Sequence, residues 1–120
     1  MKFYLAGPMT GLKDLNHPLF VNETARLRAL GYSVVNPVEI NPDKNAKWAD
    51  CMRADIAQLI TCEAVACLPD WTSSKGAVLE VQIAKALGMR VCMAQDLIYG
   101  HRHCSGNCNQ GRNCTCRVTA

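Results

Sequence analysis

The sequence predicts a single-domain α/β protein: a three-layer Rossmann-like (flavodoxin-like) parallel sheet of four to five strands with helices on both faces. Three observations lead there. Short apolar runs of strand length alternate with longer stretches of helical periodicity, giving strand, helix, strand, helix, strand, helix, strand. The first two apolar runs close on Gly7-Pro8 and Asn36-Pro37, dipeptides that stop a strand. Consecutive strands are separated by helical segments rather than tight turns, so they run parallel through right-handed crossovers.

Each element has its own justification. "KFYLA" is an aromatic and aliphatic run that reads as a buried strand. "NHPLFVNETARLRALG" carries Leu19, Phe20, Leu27 and Leu30, gathers basic residues near its end and stops at Gly31, as a helix does. "YSVVNP" is the second strand. "NAKWADCMRADIAQLITC" is the second long helix, with Trp48, Met52, Ile56, Leu59 and Ile60 as its apolar stripe. "EAVACLP" and "MRVCMA" are the third and fourth strands. Between them a helix from about Ser74 to Leu87 places Gly76, Ala77, Ile83, Ala84 and Leu87 on one face, capped by Ser73 or Ser74.

Composition narrows the classes of function. With 120 residues, 49% hydrophobic and 19% charged, the chain suits one soluble domain with one core. No apolar run is long enough for a bilayer, and "MKFYLAGPMTG" lacks the hydrophobic length of a secretory signal, so the expected location is the cytoplasm. The net charge of +3 arises from 13 basic and 10 acidic residues. After Asp96 the chain holds Arg102, Arg112 and Arg117 and no acidic residue, so the body is neutral, which argues against a nucleic-acid-binding body. The domain is expected to span 1–96, with 97–120 as a Cys/His/Arg-rich tail.

In a parallel sheet, ligands bind beyond the carboxyl ends of the strands. That rule gathers three loops. The first supplies Gly7, Met9, Thr10 and Gly11 as candidate binding residues, the second Asn36, and the third Asp70, Trp71, Ser74 and Gly76. Glu80 falls in the middle of the third helix's apolar stripe, and its side chain leans back toward the helix start. A buried carboxylate is costly unless partnered. Either Glu80 faces a pocket, with the side-chain-free Gly76 leaving space above it, or the helix is rotated and Glu80 sits at a solvated margin. Asp55 repeats the pattern at the edge of the second helix's stripe, where it points into the same cleft or is a surface aspartate. A helix start bearing Ser74 and Lys75 suits an anion. "AGPMTG" is neither a dinucleotide fingerprint nor a phosphate loop of the GKT kind, which argues against a nicotinamide enzyme or an ATPase. His17, the one histidine of the body, reads as a loop residue without a catalytic part.

Tyr4 followed by "LAG", the helix "MRADIAQL" with Asp55, and the pattern S-x-G-x-x-x-E at Ser74, Gly76 and Glu80 resemble the nucleoside 2-deoxyribosyltransferases and the related 2'-deoxynucleoside 5'-phosphate N-hydrolases. The resemblance covers nearly all of residues 1 to 93 and is greatest to a branch of short bacterial and phage proteins. It implies that Glu80 attacks the anomeric carbon of a deoxyribosyl group and forms a glycosyl-enzyme intermediate, that Tyr4 orients Glu80, and that Asp55, or alternatively Asp70, binds or protonates the base. It further implies a 5'-phosphate contact at Ser74 and a homo-oligomer acting on a small nucleoside or nucleotide, with no cofactor for catalysis. The amides of Gly7 to Gly11 would complete a phosphate cradle. Two alternatives belong to other classes: a nucleotide-binding sensor or sequestering protein without turnover, and a zinc-bearing adaptor.

Of the eight cysteines, Cys51, Cys62, Cys67 and Cys92 sit in apolar segments, as free cysteines do. Cys104, Cys108, Cys114 and Cys116 crowd the tail with spacing C-x3-C-x5-C-x-C. That spacing lacks paired C-x2-C knuckles, so zinc is one expectation for the tail, beside a redox contact, a mobile segment or a docking segment for nucleic acid or a partner.

Overall fold

The computed structural model describes residues 1–98. Its frame is a four-stranded parallel sheet of β1 (Lys2–Ala6), β2 (Ser33–Val35), β3 (Ala64–Cys67) and β4 (Arg90–Met93), in the order β2-β1-β3-β4. Among the described residues the α-helices are α1 (His17–Ala29), α2 (Pro37–Ile40), α3 (Trp48–Leu59) and α4 (Lys75–Ala86). The α/β class and the parallel sheet expected from the sequence are what the chain adopts, with four strands among the described residues.

Strand burial follows position. β1 and β3 lie in the centre and are almost wholly buried, which is why they read as continuous apolar runs rather than alternating ones. Phe3 and Leu5 project to one face, where Phe20 and Leu27 of α1 cover them and the Tyr32 ring meets Phe3 edge-on at 5.1 Å. Tyr4 and Ala6 project to the other face, beneath Leu59 of α3 and Ala77, Val81 and Ala84 of α4. The alanines Ala64 and Ala66 in β3 leave room for larger side chains above them.

The helices bury narrower or rotated stripes compared with those expected. On α1, Phe20, Thr24 and Leu27 are buried while Leu19 stands in solvent. On α3 the buried face is Met52, Asp55 and Leu59; Trp48 and Ile60, assigned to the core by periodicity, are exposed. On α4 the face is Gly76, Ala77, Glu80, Val81 and Ala84, with Leu87 outside it. The misplaced residues sit at the margins of their helices, Leu19 and Trp48 in the first turns and Ile60 and Leu87 at the C-caps.

Two arginines tie the layers together. Arg26 of α1 pairs with Glu23 and donates from Nη1 to the Leu97 carbonyl and from Nη2 to the Ala94 carbonyl, both at 2.8 Å, fastening the chain beyond β4 to α1. Arg28 grips Glu39 of α2 and donates to the Val34 carbonyl. The short helix α2 has no counterpart in the sequence reading. Asn36 starts it: its Oδ1 accepts from the Val38 N–H at 3.0 Å, followed by Pro37 in the first turn. Among the described residues no helix is long and apolar enough to cross a membrane.

Candidate active site

In the strand order β2-β1-β3-β4, the chain leaves β1 toward one neighbour and returns to its other side with β3, so the carboxyl ends of β1 and β3 flank a crevice. Close approach shapes its floor. A Cβ on Gly7, immediately after β1, would stand 2.8 Å from the Leu68 Cβ that follows β3, so only glycine fits. Beyond lies a cleft of about 320 Å³. The loop after β1 lines it with Gly7, Met9 and Thr10, and α1 with His17; α3 and its connection to α2 add Asn41, Lys44, Trp48, Met52 and Asp55; α4 and its cap add Ser74, Gly76 and Glu80.

Glu80 is 4% exposed, so the rotated-helix alternative is not what the chain adopts. Its partner is Tyr4, itself fully buried on β1, whose hydroxyl donates to Glu80 Oε2 at 2.6 Å. Asp55, 7% exposed, accepts from Asn41 Nδ2 at 2.8 Å. Two buried carboxyl groups thus share the cleft, with the exposed Asp43 at its edge, and the named hydrogen-bond donors to the buried pair are neutral. Burial pushes the Glu80 carboxyl up to about 8; the Tyr4 hydrogen bond opposes this and the Asp55 charge adds to it. Burial likewise pushes Asp55 up to about 6, against the pull of Asn41 and Tyr4. Tyr4 is raised well above its ordinary value by burial and by the Glu80 charge, so it stays a donor. Between about pH 6 and 8 the pair therefore holds one proton and one negative charge, the complement needed for one acid and one base or nucleophile.

Gly76 serves a tighter purpose than leaving open space. A Cβ there would stand 3.1 Å from Met52 Sδ and 3.4 Å from Trp48 Nε1, so the glycine lets α3 pack against α4 while the cleft stays open beside it. Ser74 is the cap of α4: its Oγ accepts from the Ala77 N–H at 3.1 Å, leaving the hydroxyl proton free to donate into the cleft. Gly7, Met9, Thr10, Ser74 and Gly76 all line the cleft, as do Asp55 and Glu80, with Tyr4 directly behind them.

Four of the sequence candidates lie elsewhere. Asn36 caps α2 with its side chain buried. Gly11 is an exposed turn residue with φ of +85°. Asp70 is exposed in a left-handed conformation with φ of 65°, and Trp71 packs against the core face that holds Tyr4. Cys104, Cys108, Cys114 and Cys116 fall outside the described residues. Conversely, Asn41, Lys44 and Trp48 line the cleft without having been singled out for it. The sequence reading closes the second loop at Asn36-Pro37, whereas α2 is so short that the connection continues to Lys47. His17 also lines the cleft, its imidazole held below its usual value by partial burial and by Lys44.

Solved structures share this arrangement of strands and helices. The chain superimposes on a 2-deoxyribosyltransferase from Bacillus psychrosaccharolyticus with a TM-score of 0.59 and 23% identity, over 76% of this chain and 69% of that one. It superimposes on a 2-desoxiribosyltransferase from Leishmania mexicana with the same TM-score and 21% identity, over 75% of this chain and 61% of that one. No curated protein matches the sequence. A family profile described as Domain of unknown function (DUF4406) matches residues 1–93, a span that holds all four strands, Tyr4 and both carboxylates, and the chain belongs to that family.

Proposed function

We propose that the protein cleaves or transfers at the N-glycosidic bond of a deoxynucleoside or its 5'-monophosphate, with Glu80 as nucleophile. The observation that carries this reading is the buried pair: Glu80 hydrogen-bonded to Tyr4, and Asp55 to Asn41, facing one cleft. The 2-deoxyribosyltransferase neighbours support it through the fold.

In the first step Glu80 forms a bond to the anomeric carbon as the bond from that carbon to the base nitrogen breaks. The departing base takes its proton from Asp55. In the second step Asp55 accepts a proton from water or from an incoming base, which attacks the same carbon and releases the Glu80 carboxylate. Two inversions give net retention, and a carboxylate at close range stabilises the oxocarbenium-like transition state. Of the two carboxyl groups Glu80 holds its proton more tightly, so attack requires the proton of the pair on Asp55. The Tyr4 hydroxyl, bonded to Glu80 and acting on Asp55, is the contact through which the two sides sense each other.

The test is chromatographic detection of free base after incubation with deoxynucleosides and their 5'-monophosphates, with and without an acceptor base. Base release that falls at least a thousandfold in Glu80→Ala is the expected result. No release from any member by the native protein, with binding retained, would favour a nucleotide-binding protein without turnover instead.

A further inference from the structure

Between β1 and α1 the chain turns against the preference of its residues. Asp14, Leu15 and Asn16 follow one another in the left-handed region, with φ of 53°, 51° and 61°. Aspartate and asparagine tolerate that region, whereas leucine enters it only under constraint. The constraints lie on either side. The Leu15 N–H donates to the Leu12 carbonyl at 2.9 Å, the His17 N–H to the Asp14 carbonyl, and Asn16 Nδ2 to the Pro8 carbonyl at 3.0 Å. Held in this way, Leu15 and His17 line one rim of the catalytic cleft.

The opposite rim is the connection from α2 to α3, where Asn41, Asp43, Lys44 and Ala46 line the same cleft. The two rims are fastened unequally. Away from the cleft, Arg28 of α1 grips Glu39 of α2 through two hydrogen bonds of 2.7 and 2.8 Å and adds a third to the Val34 carbonyl. At the cleft, a single contact of 3.3 Å joins Lys44 Nζ to Asp14 Oδ1, between side chains 46% and 52% exposed. An exposed pair at that distance is weak and screened by salt, so it opens and recloses easily. It stands at the Asp55 end, because Asn41, which holds Asp55, belongs to the same short connection as Lys44.

We propose that residues 12–16 form a strap over the Asp55 end of the cleft, that the Asp14–Lys44 pair is its clasp, and that release of the clasp lets one base leave and water or another base enter while the sugar stays on Glu80. The identity of what passes rests on the glycosidic reading; the strap itself does not. A reaction in two steps needs such a route, since the departing base must clear the cleft before an acceptor reaches the anomeric carbon. The left-handed turn is the hinge, because leaving that region relieves Leu15 once the clasp lets go.

Access to that end can be measured without substrate at Cys51, a half-buried residue of α3 that lines the cleft and whose carbonyl accepts from Asn41 at 3.4 Å. The full chain would be alkylated with iodoacetamide, a neutral reagent, and the rate at Cys51 followed by peptide mass spectrometry, with the half-buried Cys92 of β4 as internal reference. Asp14→Asn, which keeps the tolerance for a left-handed backbone, and Lys44→Met are each expected to speed alkylation of Cys51 about two- to fivefold, the range of an exposed ion pair. The double variant should react no faster than either single one, and about 1 M salt should bring the native protein to the same rate. Loss of an anion favours a thiolate and loss of a cation disfavours it, so acceleration by both substitutions reports access rather than ionisation. The Leu15 amide should exchange its hydrogen faster in the same variants, since its bond to Leu12 lasts only while the turn is intact. An unchanged rate at Cys51, opposite effects of the two substitutions, additive effects in the double variant, or an equal rise at Cys92 overturns the strap. Absence of base release by the native protein would sink the glycosidic reading and leave these rates untouched.

Discussion

At the scale of single residues, the site is a matter of which hydrogen bond holds which carboxyl group. Asn41 donates to Asp55 at 2.8 Å and favours its ionised form, so its removal should raise the lower of the two apparent pKa values of the pair. Asn41→Leu is expected to move the acid limb of the pH–activity profile up by about one unit, in keeping with the worth of a hydrogen bond to a charged group. A profile that only loses height, with its limbs in place, would mean that Asn41 merely packs there. Glu80 was legible in the sequence because a carboxylate in the middle of an apolar stripe breaks the helical pattern. Asp55 was less so, since Ile56 beside it offered a plausible alternative stripe. Asn41 was not legible at all: an asparagine before a proline in a loop is what any turn contains, and only the return of the chain over α3 brings it to Asp55.

At the scale of elements, the crevice depends on two close approaches made possible by glycine. Gly7 lets the chain leave β1 against Leu68, and a methyl group there has nowhere to go, because the nearest atom is the Leu68 Cβ rather than a flexible tip. Gly7→Ala is expected to destabilise the fold by about 1–3 kcal/mol, measured by denaturant unfolding, with the m-value unchanged. Stability equal to that of the native protein would mean that β1 and β3 part more easily than their packing suggests. The strands were readable as elements because β1 and β3, buried on both faces, leave uninterrupted apolar runs. Helix faces were readable to within one residue's rotation, and the errors fell at Leu19, Trp48, Ile60 and Leu87, all in the first turn of a helix or at its C-cap. The short helix α2 escaped because four residues hold no period to detect.

At the scale of the whole molecule, the buried pair sets how stability responds to pH. Both carboxyl groups have folded-state values above their ordinary ones, Glu80 at about 8 and Asp55 at about 6. The folded protein therefore binds protons more tightly than the unfolded chain, and stability declines as pH rises, from about 4 to 6 through Asp55 and from about 4.5 to 8 through Glu80. Replacing Glu80 with the neutral isostere Gln should relieve part of that cost. The Tm advantage of Glu80→Gln over the native protein is expected to be small at pH 5 and to grow to several degrees by pH 8. An advantage that does not change with pH would show that Glu80 keeps its ordinary ionisation in the folded state. A long lineage sees the same arithmetic differently. Single-nucleotide changes constantly offer this position neutral or apolar residues, and many of them would make a sturdier molecule. By this measure a glutamate here is a burden on the fold at neutral pH, one that a neutral side chain of the same shape would lift.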